Sequence, residues 1–386
     1  MEDVIKYVAD LVRDPFAYGR KLKADTGKKI VGYVCTYAPE EIMLAAGAHP
    51  LRLFGTTGTI ERADAHLQSY CCSLVRGVLE EGLKGGTDFL DGMVFPHTCD
   101  SIQRLSDLWR MNIAQGFHVD AVLPVKLDTQ SARQYMIDVL NRFRTDLERE
   151  LDCSITDDNL HKAIRLMNEI RLLLRRIYEL RSDQPGLMTG DSLYTIVKAT
   201  MIMDRERVRE VLQKIVEKME AAKLSSEEGT GSQGSDFKSV PATKRLLMAG
   251  GICNQPQIHD MIEAAGGAVV WDDFCTGSRY FETLVSTDKD PITAIADRFI
   301  QRAVCPAKHA GLQNRAEDLI RMAHERKVQG VIFLYLKFCD PHAFDYPYLK
   351  AALDQEGIPS LLLEVEDPLP AEGQLQTRFE AFLEML

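Results

Sequence analysis

No stretch of the 386 residues is apolar for long enough to span a bilayer, which argues against a helical membrane anchor. Positive charge is also in short supply. Forty-six Lys and Arg face 57 Asp and Glu, a net charge of -11, and no basic stripe with interleaved aromatics stands out, so a nucleic-acid surface is not expected. The opening Met1-Glu2-Asp3-Val4 lacks the basic-then-apolar pattern of a secretion signal, and a cytoplasmic location is expected. None of the nine cysteines falls in the tight spacing of a zinc ribbon or a ferredoxin. An odd count in a reducing compartment is no disulfide framework either, which leaves packing, catalysis or metal. Walker and dinucleotide fingerprints are absent, the lone Gly250-Gly251 pair being the nearest approach to a phosphate loop. If ATP is consumed, another chain is expected to bind it.

What is present is a phrase that occurs twice. Met93-Val94-Phe95-Pro96-His97-Thr98-Cys99-Asp100 returns as Val331-Ile332-Phe333-Leu334-Tyr335-Leu336-Lys337-Phe338-Cys339-Asp340. In each copy an apolar run of strand length ends just before the cysteine, and helical periodicity follows. Each cysteine is therefore expected beyond the carboxyl end of a strand, where α/β sheets bind ligands and where the N–H groups of the next helix favour a thiolate.

The hydrophobic fraction, 45%, fits a folded globular chain, and the length calls for two or three domains. Residues 1–27 read as a helical lead-in. An α/β domain is expected over 28–152, opening with a strand at Lys28–Tyr37, a helix from Ala38-Pro39-Glu40-Glu41 and a second strand at Pro50–Phe54. A helix at Ile60–Leu83 places Cys71 on its apolar stripe and Cys72 about 100° away, one turn from Arg76. The next helix, Ile102–Ala114, has Asp100 or Ser101 as its expected cap. Residues 153–240 read as a helical insertion, with helical runs at Asn159–Arg181 and Leu193–Ala222, ending in a Ser/Gly-rich linker over 224–240. Strand and helix alternation resumes in a second α/β domain, 241–386.

Cys72, Cys99 and Cys339 are placed as the ligands of a cubane iron-sulfur cluster would be, converging from loops rich in N–H donors. Core packing is the competing reading for all three, and the favoured one for Cys35 and Cys153. Cys253, Cys275 and Cys305, in loops or at strand ends, are further candidates. His97 and His342 flank the two Cys-Asp phrases, so a mixed His/Cys zinc site, a proton donor or a backbone-bonded loop histidine all fit. Glu40 and Glu41 could serve as acid or base, or simply favour a helix dipole. Arg279 and His97 are candidates by location alone.

The blocks Gly32-Tyr33-Val34-Cys35-Thr36-Tyr37-Ala38-Pro39-Glu40-Glu41-Ile42, Cys72-Ser73-Leu74-Val75-Arg76, Phe95-Pro96-His97-Thr98-Cys99-Asp100-Ser101, Asp272-Asp273-Phe274-Cys275-Thr276-Gly277-Ser278-Arg279-Tyr280 and Lys337-Phe338-Cys339-Asp340-Pro341 occur in that order. Together they resemble the 2-hydroxyacyl-CoA dehydratase and benzoyl-CoA reductase family over nearly the whole chain. The resemblance implies two flavodoxin-like (Rossmann-like) parallel-sheet α/β domains with a helical insertion. It further implies one 4Fe-4S cluster on Cys72, Cys99 and Cys339, with Cys71 as the alternative to Cys72 and one iron left to a non-cysteine ligand. The partners it implies are a related cluster-bearing subunit in a heterodimer, an ATP-hydrolysing iron-sulfur activator, ferredoxin as donor and an acyl-CoA substrate. The runs 67–77 and 98–110 resemble the smaller of the two cluster-bearing subunits, the gamma subunit, of the ATP-dependent benzoyl-CoA reductases. That implies reductive dearomatisation of benzoyl-CoA, with dehydration of an (R)-2-hydroxyacyl-CoA or a purely electron-transferring role as the alternatives. His97 and Glu40 are then the candidate catalytic residues.

Overall fold

Apolar strands that are separated by helices return to their sheet in the same direction, so such a chain builds parallel sheets. The computed structural model shows this twice, and it describes residues 1–56, 58–227, 244–302, 305–311, 313–366, 369 and 372–386. Helices α1 (Glu2–Val12) and α2 (Pro15–Thr26) lead in. The first half follows as β1 (Ile30–Tyr33), α3 (Glu40–Ala45), β2 (His49–Arg52), α4 (Ser73–Leu83), β3 (Gly92–Pro96), α5 (Asp100–Asn112) and β4 (Phe117–Ala121). Four long helices come next: α6 (Gln130–Leu151), α7 (Asp157–Asp183), α8 (Gly190–Ile202) and α9 (Arg205–Glu227). The second half begins β5 (Lys244–Gly250), α10 (Gln257–Ala264), β6 (Gly267–Asp273), α11 (Ser278–Phe281) and α12 (Pro291–Gln301). It ends with α13 (Asn314–Glu325), β7 (Gly330–Leu336), α14 (Asp340–Gln355), β8 (Ser360–Val365) and α15 (Glu372–Glu384).

The strands pair in the orders β2-β1-β3-β4 and β6-β5-β7-β8, all parallel. Counted from the start of each half, both orders read 2-1-3-4, a doubly wound arrangement whose switch point lies between the first and third strands. The third strand of each half, β3 or β7, leads into its Cys-Asp phrase by the same step, from Pro96 to Cys99 and from Leu336 to Cys339. The repetition seen in the sequence is thus a repetition of topology.

One apolar core runs from the first sheet (Phe95, Leu53) through α7 and α8 (Leu174, Ile196) to the second sheet (Trp271, Phe333). The helical insertion is therefore the wall shared by both halves. The opposite face of the first sheet is covered by α6 and also by α12, whose Ile292, Ile295 and Phe299 pack with Val31, Tyr33 and Met136. So a segment lying within 241–386 in sequence is built into the core of the first half. Helix α12 went unread in the sequence, although Asp290, which caps it through the Thr293 N–H at 2.8 Å, and Pro291 in its first turn are a start signal.

Three sequence expectations need correction. The helix expected at Ile60–Leu83 starts only at Ser73, after a 3₁₀ turn at Ala63–Ala65. The buried Glu80 carboxylate accepts the Ala63 N–H at 2.8 Å and folds the preceding loop back on α4. Leu67 and Cys71 are buried by that fold-back, and a helical stripe has no bearing on them. The cap of α5 is Cys99, and Asp100 is already helical. The helical run expected at Leu193–Ala222 is two helices, broken at Met203-Asp204, where the Asp204 side chain accepts from the Glu206 and Arg207 N–H groups. Of the expected linker, 224–227 continue α9 and the remainder lies outside the described residues.

Gly77 sets the seat of α4. A Cβ there would come within 2.7 Å of the Thr56 backbone nitrogen and 3.1 Å of the Gly55 Cα. Gly77→Ala is expected to push α4 off that loop and destabilise the fold by about 1–3 kcal/mol. Thermal unfolding reads it, and an unchanged Tm would show that the helix is seated by other contacts.

Candidate functional site

Each of the three cysteines singled out by position is the N-cap of a helix: Cys72 for α4, Cys99 for α5 and Cys339 for α14. None closes a conventional side-chain capping hydrogen bond. Backbone N–H groups of the first turns nonetheless favour the thiolate at each sulfur: Leu74 and Val75 at Cys72, Ile102 at Cys99, His342 at Cys339. Phe338, just before Cys339, is held at φ 63°, a left-handed backbone that a non-glycine residue adopts only under constraint from its surroundings.

Burial opposes the N–H groups and prevails. It pushes the Cys72 thiol up to about 11, and raises Cys99 and Cys339 still further from the ordinary thiol value. After burial, the largest influence on Cys99 is Cys72, with Cys339 also contributing, and the largest on Cys339 is Cys72. Every pair of the three therefore interacts, although two sulfurs come from the first half and one from the second. Such a set stays protonated until something that binds thiolates releases the protons. Among the described residues no three His, Cys, Asp or Glu side chains close on one point as a single metal ion requires. A polynuclear cluster would distribute its thiolates over separate irons, one from each helix end.

Cys71, the alternative, is buried in the folded-back loop beside Cys72 but caps no helix. Cys35 lies beyond the end of β1 and accepts a hydrogen bond from the Thr98 hydroxyl at 3.3 Å. Cys275 follows β6, its sulfur 3.4 Å and its carbonyl 3.1 Å from the Arg52 guanidinium. Cys305 lies in the loop after α12, close enough to Cys35 and Cys275 for both to raise it. Cys253 is buried after β5, and Cys153 follows α6 away from this group.

A cleft of about 630 Å³ opens on the seam between the halves. His97, Cys99, Asp100, Lys308, Asp340 and Phe344 are among its lining residues, so both Cys-Asp phrases reach it. His97 Nε2 donates to Asp120 Oδ1 at 2.9 Å, and the same oxygen accepts from Ser106 at 2.5 Å and His118 at 3.3 Å. His342 stands 3.3 Å from the Cys339 sulfur through Nδ1, and burial keeps it neutral. Lys308 sends its ammonium to the carbonyls of His97 and Leu123, both at 3.2 Å. Neither Asp120 nor Lys308 carried a signal in the sequence, since a strand aspartate and a loop lysine are ordinarily solvated.

Glu40 is placed elsewhere. It is buried and accepts from Arg205 at 2.6 Å, Tyr33 at 2.9 Å and Tyr280 at 3.2 Å, which makes it a structural junction and not a cleft-facing acid or base. Arg279 is likewise buried, donating to the Gly250 carbonyl and standing 3.3 Å from Asp273.

Paired doubly wound halves, a shared helical wall and a seam cleft lined by Cys99 and by both Cys-Asp phrases characterise the fold and its candidate site. The chain belongs to the family described as 2-hydroxyglutaryl-CoA dehydratase, D-component, which it matches over residues 35–386. It is 28% identical to the (R)-phenyllactyl-CoA dehydratase beta subunit of Clostridium sporogenes, over 98% of this chain and 97% of that one. It is 29% identical to a benzoyl-CoA reductase subunit of Thauera aromatica, over 97% and 95% respectively. With the (R)-2-hydroxyglutaryl-CoA dehydratase subunit beta of Acidaminococcus fermentans it shares 27% identity, over 95% and 94%.

Two outcomes follow from the charged groups. Glu40→Ala leaves Arg205 buried and unpaired, and about 3–5 kcal/mol of stability is expected to be lost in denaturant unfolding; a loss of turnover at unchanged stability would instead make Glu40 a reacting group. For Asp120, burial acts to raise the carboxyl, but hydrogen bonds from His118, His97 and Ser106 outweigh it and hold the group well below the usual carboxylate range. A group depressed on folding contributes stability above its unfolded pKa that disappears as the pH falls through the folded value. Asp120→Asn is expected to lose about 1–3 kcal/mol at pH 7, and its difference from wild type is expected to narrow below about pH 4. A difference that stays constant down to pH 3 would mean that the carboxylate charge contributes nothing.

Proposed function

We propose that this chain is the iron-sulfur subunit of an enzyme that reduces or dehydrates an acyl-CoA by single-electron chemistry, with Cys72, Cys99 and Cys339 holding a 4Fe-4S cluster. The observation that supports it is the position of all three cysteines as helix N-caps drawn from both halves, with Cys72 acting on both Cys99 and Cys339. Such a cluster would supply low-potential electrons to the substrate, one at a time. The chain's own part is to hold the three thiolates against helix N-termini and to present the His97–Asp120 pair at the cleft as a place to hold a proton.

Of the two reactions, reductive dearomatisation of benzoyl-CoA is our reading, resting on the runs 67–77 and 98–110 and on the relative from Thauera aromatica. Dehydration of an (R)-2-hydroxyacyl-CoA is the second reading, favoured by the family description and by the two dehydratase relatives at nearly equal identity. In either case the chain would work beside a related cluster-bearing subunit. A separate ATP-hydrolysing activator, itself reduced by ferredoxin, would deliver the electron, and the location would be cytoplasmic.

Iron and acid-labile sulfide in anaerobically purified protein test the assignment. About four irons per chain are expected in wild type and in Cys71→Ala, with loss in Cys72→Ala, Cys99→Ala and Cys339→Ala. Iron-free wild type, or variants that retain the iron, would reject the ligand set. Turnover of benzoyl-CoA against an (R)-2-hydroxyacyl-CoA, with partner and activator present, then separates the two reactions.

A further inference from the structure

Lys308 is almost fully buried, yet among the described residues no carboxylate pairs with it. Its ammonium meets two neutral carbonyls, His97 and Leu123, and the charged or chargeable groups that influence it are the thiols of Cys35, Cys305 and Cys99. A buried cation among neutral dipoles is unfavourable unless a negative charge stands nearby. The surrounding backbone nevertheless fixes it in place. The segment that carries it crosses from the second half onto the first: His309 N–H donates to the Val125 carbonyl at 2.8 Å, and Leu127 N–H donates to the His309 carbonyl at 2.7 Å. The carbonyl of His97 belongs to the loop between β3 and Cys99. One side chain therefore ties the second half to the loop that aims Cys99 and places its ammonium near the sulfurs of Cys35, Cys305 and Cys99, which act against the burial that pushes the lysine down to about 8.

We propose that Lys308 is a positioning residue for the thiol centre, clamping the Cys99 loop and supplying the fixed charge that favours an added electron there. This rests on the cluster reading given above. A nearby cation stabilises the more negative, reduced state of any centre held by these thiolates. The residue acts through charge and through the His97 carbonyl, and it needs no contact with substrate.

Three variants of the full chain, purified anaerobically, separate the contributions: Lys308→Met removes both charge and donor, Lys308→Gln keeps a donor, and Lys308→Arg keeps the charge. Iron content and the midpoint potential from an EPR-monitored redox titration are read for each. One-electron reduction is expected to become about tenfold less favourable in Lys308→Met and Lys308→Gln, a potential about 59 mV more negative, with iron retained and Lys308→Arg close to wild type. Wild-type potential in Lys308→Gln or Lys308→Met would overturn the inference and leave the cluster reading intact. So would an equal shift in all three variants, or loss of iron from all three while wild type holds it, because either marks the lysine as structural only. A wild-type protein without iron would overturn both.

Discussion

Glu40 fixes how the two halves meet. Its carboxylate is buried where β1, the start of α9 and α11 come together, and it takes hydrogen bonds from a residue of each: Tyr33, Arg205 and Tyr280. Arg205 in turn donates to the carbonyls of Met203 and Pro50. A buried ion pair repays its desolvation only when nearly every donor and acceptor is used. That condition is met in one relative placement of the first half, the insertion and the second half, and displacement would strand several charged groups together. Cys72 and Cys99 are carried by the first half and Cys339 by the second, so the convergence of their sulfurs depends on this junction, far though it lies from any of them in sequence.

Within that frame two of the capping thiols, Cys99 and Cys339, follow from topology. Both halves wind their strands as 2-1-3-4, and the loop after the third strand opens at the switch point. A residue at the N-cap beyond such a strand faces the crevice and is surrounded by N–H groups without helical partners. Asp, Ser or Thr at these positions would satisfy those donors within the helix. A cysteine makes a poor cap, which leaves the donors and the sulfur available to a third party. The elevation of Cys99 and Cys339 by Cys72 has a related origin, since drawing thiols together disfavours charge on each.

Much of this was legible beforehand because it is local. The repeated Cys-Asp phrase carried the strand, the turn and the helix start in one stretch, and so placed Cys99 and Cys339 correctly beyond β3 and β7. The helical stripe that set Cys72 apart from Cys71 in the sequence does not exist. The periodicity of residues 60–83 suggested a helical stripe, whereas the loop before α4 folds back onto a buried carboxylate at Glu80, a tertiary contact to which periodicity is blind. Glu40 shows the same limit. Acidic residues in a first turn usually face solvent, and nothing near Glu40 in sequence announces that Arg205, 165 positions away, will bury it. The packing of α12 onto the first sheet was invisible for the same reason, even though its start signal was present.

Charge balance in the seam completes the reasoning. The buried carboxylates Glu40, Glu41 and Asp273 are engaged by arginines: Arg205 on the first, Arg171 on the second, and Arg279 with Arg315 on the third. Arg52, Arg302 and Lys308 are also buried, but among the described residues they have no ion-pair partner. Arg52 reaches the sulfur and carbonyl of Cys275, Arg302 lies 3.8 Å over the Tyr37 ring, and Lys308 reaches two carbonyls. A chain with a net charge of -11 thus carries buried cations near its seam, where six of its nine cysteines also interact. A thiolate at Cys275 or Cys35 gains from Arg52, and one at Cys35, Cys305 or Cys99 gains from Lys308, each relieving part of that cation's desolvation. Deprotonation of the sulfurs and retention of the buried cations are therefore linked, and a ligand that requires thiolates stabilises the fold to the extent that it completes this balance.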